Sequence, residues 1–169
     1  MSYYLLVDNE LMSSAQRLRH ITLRQYVKKR TGVALGASGS MSNMLRRSLG
    51  APTFSGFWQY WNPVWGYYLS RYIARPVGKV TGPGFATLVT FAVSGALHDL
   101  AVSAVKAKVI FFFTPWFLLM GLMVVITVHT GVSLKHHRWS TRALCNLALI
   151  AAGFAMAQAV ENQFYAWQS

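Results

Sequence analysis

The sequence is poor in acidic residues and in cysteine. Its 169 residues contain only 4 Asp and Glu, and a single cysteine, Cys145. One cysteine allows no internal disulfide, which excludes a disulfide-stapled secreted scaffold. The sequence also lacks an HExxH motif, a glycine-rich phosphate loop and paired cysteines, so we expect no metal site.

The residues that are abundant are hydrophobic or basic. The chain is 54% hydrophobic and 14% aromatic, and 16 Lys and Arg give it a net charge of +12. The cations lie at the edges of long uncharged runs, which indicates a membrane protein and argues against nucleic acid as a partner. A weaker alternative is a peripheral protein that binds anionic lipid or nucleic acid through residues 17–47.

The N-terminal region, residues 1–50, is predicted to be basic and amphipathic. Apolar residues recur at helical spacing between residues 8 and 30, with cations on the other faces. The pattern predicts a helix on the membrane surface whose cations meet anionic lipid. A basic helix packed on the rest of the protein fits the pattern equally well. Residues 32–44 are rich in Gly and Ser, which predicts a flexible connector.

Residues 51–169 are predicted to form a membrane-embedded core, which begins with an aromatic segment. Trp58, Trp61, Trp65 and several tyrosines there are typical of an interfacial belt. Asn62 followed by Pro63 predicts a helix start, and we expect that helix to end before Pro76.

Three nearly uncharged stretches follow, at residues 85–105, 109–134 and 143–160. Their lengths predict about three transmembrane helices, the third being marginal, in an all-α integral membrane protein with further amphipathic or interfacial helices. Lys and Arg flank the stretches unevenly. The positive-inside rule therefore predicts a cytoplasmic N-terminus and a C-terminus on the opposite side.

His98 and Asp99 stand out inside the first predicted span. An ionisable group in a spanning helix is costly, so Asp99 must be protonated, paired, in a wet cavity or near an interface. Ser94 and Gly95 precede His98 by one turn, so a substrate or another helix can approach closely there. The alternative is a small-residue packing surface in which His98 makes only a polar interhelical contact.

Two segments resemble the membrane-bound O-acyltransferase family. Residues 57–76, FWQYWNPVWGYYLSRYIARP, resemble its Phe-Trp…Trp-Asn/His segment. Residues 90–100, TFAVSGALHDL, resemble the apolar helix that carries its catalytic histidine. The two segments occur in the family's order, and Asn62 precedes His98 by a spacing that the family shows.

This resemblance implies transfer of an acyl group from acyl-CoA, or a similar thioester, to a hydroxyl of a lipid or other alcohol. It implies His98 as general base and Asn62 as a second polar group, with acyl-CoA as co-substrate and no further cofactor. Asn62 is equally explained as the N-cap of the helix at Pro63. The candidate substrate-binding residues are Trp58, Trp61, Ser94, Gly95, Arg71 and Arg75.

Family members are much longer than this chain, which resembles only their C-terminal catalytic core. We therefore expect a short or partial member, in which a homo-oligomer or a partner subunit supplies missing walls of the site. The alternative is a non-catalytic membrane interaction subunit, or a truncated or degenerate relative, in which His98 and Asp99 only hold helices together.

Overall fold

A computed structural model describes the backbone of residues 21–168, and the side chains of that range except at positions 160 and 163–168. Within it the chain is helical and contains no strand, in agreement with the predicted all-α class. The elements are α1 (Leu23–Thr31), α2 (Ser40–Leu49), α3 (Phe54–Tyr60), α4 (Pro63–Leu69), a π-helical segment (Ser70–Ala74), α5 (Arg75–Thr81), α6 (Pro83–Lys106), α7 (Phe113–His129) and α8 (Trp139–Gln168).

Helix α1 is the part of the predicted N-terminal amphipathic helix that the structure describes, and residues 8–20 lie outside the described residues. A capping box formed by Thr22 and Gln25 starts the helix, and Gly32, at φ 83°, ends it. Tyr26 and Val27 are buried. This described part of the helix therefore packs its apolar side chains on the protein.

The predicted flexible connector is only partly correct. The turn preceding α2 contains Gly32, Gly36 and Gly39, all at positive φ, but residues from Ser40 onwards are helical. Met41, Met44 and Leu45 recur at helical spacing, and this periodicity outweighs the Ser-rich composition of the segment.

The aromatic segment folds into α3 and α4, and α4 begins at Pro63 as predicted. The prediction that this helix ends before Pro76 is wrong, because the π-helical segment and α5 continue it to Thr81. In the π-turn the Arg75 amide bonds back to the Ser70 carbonyl. Pro76 then occupies the first turn of α5, where a missing N–H is tolerated.

Two of the described helices are long and apolar enough to cross a membrane: α6, and the first part of α8, Trp139–Ala159. This is one fewer than predicted, because residues 109–112 and 130–134 lie in loops and α7 has 17 residues. At about 1.5 Å per residue α7 is about 25 Å long, at the lower end of spanning lengths. The third predicted span, by contrast, extends beyond its expected bounds.

Glycines allow the long helices to pack closely and antiparallel. A Cβ atom at Gly95 of α6 would lie 2.6 Å from the Phe113 carbonyl oxygen of α7. Gly84 of α6 faces Val125 near the other end of α7. The start of α6 therefore lies beside the end of α7, and the turn joining them lies at the opposite end of the bundle.

Helix α2 joins the bundle where α7 ends and α8 begins. Trp139 Nε1 donates to the Arg46 carbonyl at 3.0 Å, and the Leu134 amide donates to the Pro52 carbonyl at 2.7 Å. The buried Asn146 donates to the carbonyls of Leu49 and Ala51. This end also carries Arg46, Lys135, Arg138 and Arg142, and we call it the cationic end.

Candidate active site

His98 lies two thirds of the way along α6 and is half-buried. Its Nδ1 atom is 2.7 Å from the carbonyl oxygen of Ser94, one turn earlier. A carbonyl oxygen only accepts hydrogen bonds, so Nδ1 carries the proton in this contact. In the neutral imidazole Nε2 therefore keeps its lone pair and is the nitrogen that can accept a proton.

Two aromatic rings of α7 pack against this imidazole. Its ring centroid lies 4.9 Å from that of Phe117 and 5.8 Å from that of Phe113. Phe113 and Phe117 are four residues apart, so they lie on one face of α7. The imidazole is therefore fixed by one hydrogen bond and by apolar contacts with the neighbouring helix.

Trp65 connects the Asn62 segment with the His98 helix. Its indole Nε1 donates to the hydroxyl oxygen of the buried Ser94 at 3.0 Å. Its backbone amide donates to Asn62 Oδ1 at 3.2 Å. Three separate hydrogen bonds thus link Asn62 to Trp65, Trp65 to the Ser94 hydroxyl and the Ser94 carbonyl to His98, so the two motifs that lie far apart in sequence meet in the fold.

Asn62 itself is exposed and has a left-handed backbone, with φ 41°. Its Oδ1 caps α4, which is the structural role that the sequence left open beside the catalytic one. Its Nδ2 has no hydrogen-bond partner among the described residues, although its backbone amide contacts Met44 Sδ. The cap therefore uses Oδ1 and leaves Nδ2 of the same side chain without a partner among the described residues.

The candidate residues Trp58, Trp61 and Gly95 differ in the groups that they contact. Trp58 contacts Phe91 at 5.1 Å and Phe117 at 6.2 Å between ring centroids, so it reaches the ring that touches His98. Trp61 is exposed and stacks on a buried phenylalanine of α3. The surface of Gly95 is covered by the backbone of α7, so on that side a helix, and not open space, adjoins the site.

The two candidate arginines precede α6. Arg71 lies in the π-helical segment, is exposed, and donates to the Tyr67 hydroxyl at 2.7 Å. Arg75 follows one turn later and is half-buried. Both therefore lie on the helical run that begins at Asn62.

Asp99 is buried and acts as a cap for α7. Its Oδ1 accepts from the amides of Phe112 and Phe113 at 2.9 and 2.8 Å. Its Oδ2 accepts from the amide and the hydroxyl of Thr114 at 2.8 and 2.6 Å. Four donors thus satisfy the carboxylate, and the positive end of the helix dipole adds to its stabilisation.

Sequence reasoning missed the bond of Trp65 to Ser94, and it missed Phe113, Thr114 and Phe117 as neighbours of the His98–Asp99 pair. Trp65 follows Asn62 by three residues, and this spacing was a usable signal. No local pattern identifies the three α7 residues, since they reach the pair through a turn between helices.

Two cavities of the described part of the chain lie elsewhere. One, of about 370 Å³, is apolar and is lined by Leu88, Pro115, Leu118, Leu119, Leu122 and Ala157. The other, of about 260 Å³, adjoins α1. Residues 21–168 contain no group of three or more His, Cys, Asp or Glu side chains that could hold a metal ion.

Comparison with known families identifies the chain. The family model of the membrane-bound O-acyltransferases matches residues 37–164, which is more than half of the chain. The chain belongs to the membrane-bound O-acyltransferase family. No curated protein and no solved structure matches it. As a member of this acyltransferase family it carries both motifs inside the matched range.

Proposed function

We propose that this protein transfers an acyl group from acyl-CoA, or a similar thioester, to a hydroxyl of a lipid or other alcohol. The observation that carries the proposal is the contact between His98 Nδ1 and the Ser94 carbonyl. It leaves Nε2 as the basic nitrogen in an aromatic environment, on the helix that resembles the catalytic helix of the family.

In the proposed reaction, Nε2 accepts the proton of the acceptor hydroxyl as its oxygen attacks the thioester carbonyl carbon. The new C–O bond forms, the C–S bond breaks, and the imidazolium returns its proton to the leaving thiolate. The Ser94 carbonyl keeps Nδ1 protonated and the ring oriented throughout, so the same nitrogen acts as base and then as acid.

Asn62 is proposed to contact the substrate through Nδ2. This amide donates, so it can stabilise negative charge on the thioester carbonyl oxygen or hold the acceptor hydroxyl. Because Oδ1 is held by the Trp65 amide, the side chain is oriented before substrate binds. Trp58 and Trp61 are proposed to line the entrance on the α3 side, and Ser94 and Gly95 to form the wall behind the imidazole.

The donor is proposed to approach from the cationic end. Arg71 and Arg75 precede α6 and supply charge for the phosphates of CoA. At about 1.5 Å per residue His98 lies about 23 Å along α6 from its start and about 12 Å from its end. A donor that approaches from the cationic end therefore has to extend over the longer of these two distances to bring its thioester to His98. We place the N-terminus and the cationic end in the cytoplasm, and expect a homo-oligomer or a partner subunit to complete the donor site.

The test is acyl transfer in membranes that contain the protein. Labelled acyl-CoA is supplied with a panel of lipid and sugar alcohols, and wild type is compared with His98→Ala, Trp65→Phe and the loop variant His136→Ala. We expect His98→Ala to abolish product and His136→Ala to retain it. Trp65→Phe should lower the rate about tenfold, because Ser94 loses the donor that links it to α4.

Folding is measured in parallel by thermal unfolding in detergent. Loss of product in His98→Ala with unchanged stability supports catalysis. Product formation by His98→Ala at the wild-type rate would contradict the proposed base.

A non-catalytic membrane subunit is the second candidate function. It is favoured by the close packing of Gly95 on α7 and by the Asp99 cap, which show that this helix pair holds the bundle together. It predicts that His98→Ala lowers the unfolding temperature and that no wild-type product forms with any donor.

A further inference from the structure

The long segment between Glu10 and Asp99 contains no acidic residue, although it contains many Lys and Arg. Some of these cations are used inside the fold. Arg47 donates to the carbonyls of Arg30 and Lys29 at the end of α1, and Arg30 donates to Gln59 at 2.9 Å. These contacts join α1 to α2 and α3.

Arg24 and Lys28 are not used in this way. Both are exposed, and neither side chain has a hydrogen-bond or ion-pair partner among the described residues. They are four residues apart on α1, so they lie on one face, with their Cβ atoms about 6 Å from each other. Two positive charges therefore lie side by side on this face of α1.

The cavity of about 260 Å³ lies at this face, and it is an open depression whose lining residues are all exposed. Its lining combines Arg24, Gln25 and Lys28 of α1 with Ala34 and Leu35 of the following turn. Cationic and amide donors on one side and aliphatic groups on the other match a molecule that is anionic at one end and apolar beyond it. The volume is below the 300–1,000 Å³ or so that is typical of sites for drug-sized ligands, so it suits a headgroup.

Hydrogen bonds connect the helix of this cavity to the end of a candidate spanning helix. Helix α1 is bonded to α2, and the Arg46 carbonyl of α2 accepts from Trp139 at the start of the candidate span α8. On α2, Met41 is 66% exposed and Leu45 is 37% exposed. Exposed apolar residues beside cations, at the end of a spanning helix, are typical of the membrane interface.

We propose that this cavity binds the phosphate headgroup of an anionic phospholipid of the surrounding membrane. Arg24 and Lys28 contact the phosphate, Gln25 donates from its amide, and Ala34 and Leu35 contact the apolar neck of the lipid. The acyl-transfer reaction is not part of the proposal, which holds or fails independently of it.

The experiment measures lipid retained by the purified full-length protein in neutral detergent. Dioctanoyl phosphatidylglycerol and dioctanoyl phosphatidylcholine are titrated separately, and bound lipid is counted by native mass spectrometry. The variants are Arg24→Gln, Lys28→Gln and the double variant. The matched control is Lys106→Gln with Lys108→Gln, which removes two exposed cations near the end of α6 remote from the cationic end.

We expect phosphatidylglycerol to be retained and phosphatidylcholine to be lost. Each single variant should weaken phosphatidylglycerol binding about fivefold and the double variant about 25-fold, since one cation near an anionic surface contributes about 1 kcal/mol. The Lys106 and Lys108 control should bind as wild type does. Equal retention of the two lipids, or an equal loss in the control, would overturn the proposal.

A second measurement uses the unaltered protein in nanodiscs. Lys28 should be protected from an amine-acetylating reagent by phosphatidylglycerol but not by phosphatidylcholine, while Lys108 reacts equally in both. Reaction of Lys28 at the same rate in both nanodiscs contradicts the proposed site. Displacement of phosphatidylglycerol by equimolar inorganic phosphate would show that the cavity takes the free anion, which also overturns a lipid headgroup as the ligand.

Discussion

The two ends of the helix bundle differ in how far their charged side chains are buried. At the turn between α6 and α7 a single carboxylate, Asp99, is buried and accepts four hydrogen bonds. At the cationic end many basic groups face outwards, and Lys135 and Arg138 are exposed. The first end therefore buries its charged group, and the other exposes most of its charges, with the exception of Arg142, which donates to the carbonyls of Gly50, Leu134, Lys135 and His137.

The difference follows from the cost of burial. A buried carboxylate is tolerated only where donors replace the water that it loses, and the free amides at a helix start supply them. Exposed cations keep their hydration and add little to stability. Substitutions at the two ends should therefore have very different effects on the free energy of unfolding.

The largest effect is expected from Asp99→Ala. It leaves the amides of residues 112–114 and the Thr114 hydroxyl without their acceptor, so we expect a loss of about 3 kcal/mol. Thermal or denaturant unfolding in detergent measures it. Asp99→Asn keeps one acceptor oxygen and should lose less, and a fully stable Asp99→Ala protein would remove the distinction between the two ends.

A smaller but clear effect is expected from Gly95→Ala. The new side chain would meet the Phe113 carbonyl and the Thr114 backbone, so α7 must move, at a cost of about 2 kcal/mol. Gly66→Ala is the matched control, because its Cβ would make an ordinary 3.8 Å contact with Tyr26. The same unfolding assay should show a loss only in the first variant, and equal stability of the two would contradict the close packing.

The smallest effect is expected from Lys135→Gln combined with Arg138→Gln at the cationic end. Both side chains are exposed, so stability should change by about 0.5 kcal/mol or less. A loss as large as that of Asp99→Ala would show that these cations also hold the fold together.

The sequence predicted features that depend on neighbouring residues. The Asn62–Pro63 helix start has a local cause, and the structure shows the cap at that position. The all-α class followed from long apolar runs, which are also a local property. Both motifs that resembled the family lie within the range that the family model matches.

What the sequence could not predict depends on contacts between distant residues. The partners of Asp99 are 13 to 15 residues away, across a turn whose geometry is set by how α6 and α7 pack. The bond between Trp65 and Ser94 joins positions 29 residues apart. Pro76 predicts a helix end from sequence, because its local preference is the same whether or not a π-turn precedes it.

That π-turn also sets the register between the aromatic segment and the rest of the chain. A π-turn contains one residue more than the α-helical path would need, and each residue of an α-helix turns the chain by about 100°. Deleting one residue between Ser70 and Ala74 would therefore convert the segment to an α-helix with little rotation of α4 relative to α5. One residue deleted from α4 after Trp65 has no such turn to absorb it, so Trp65 would rotate away from Ser94 by about 100°.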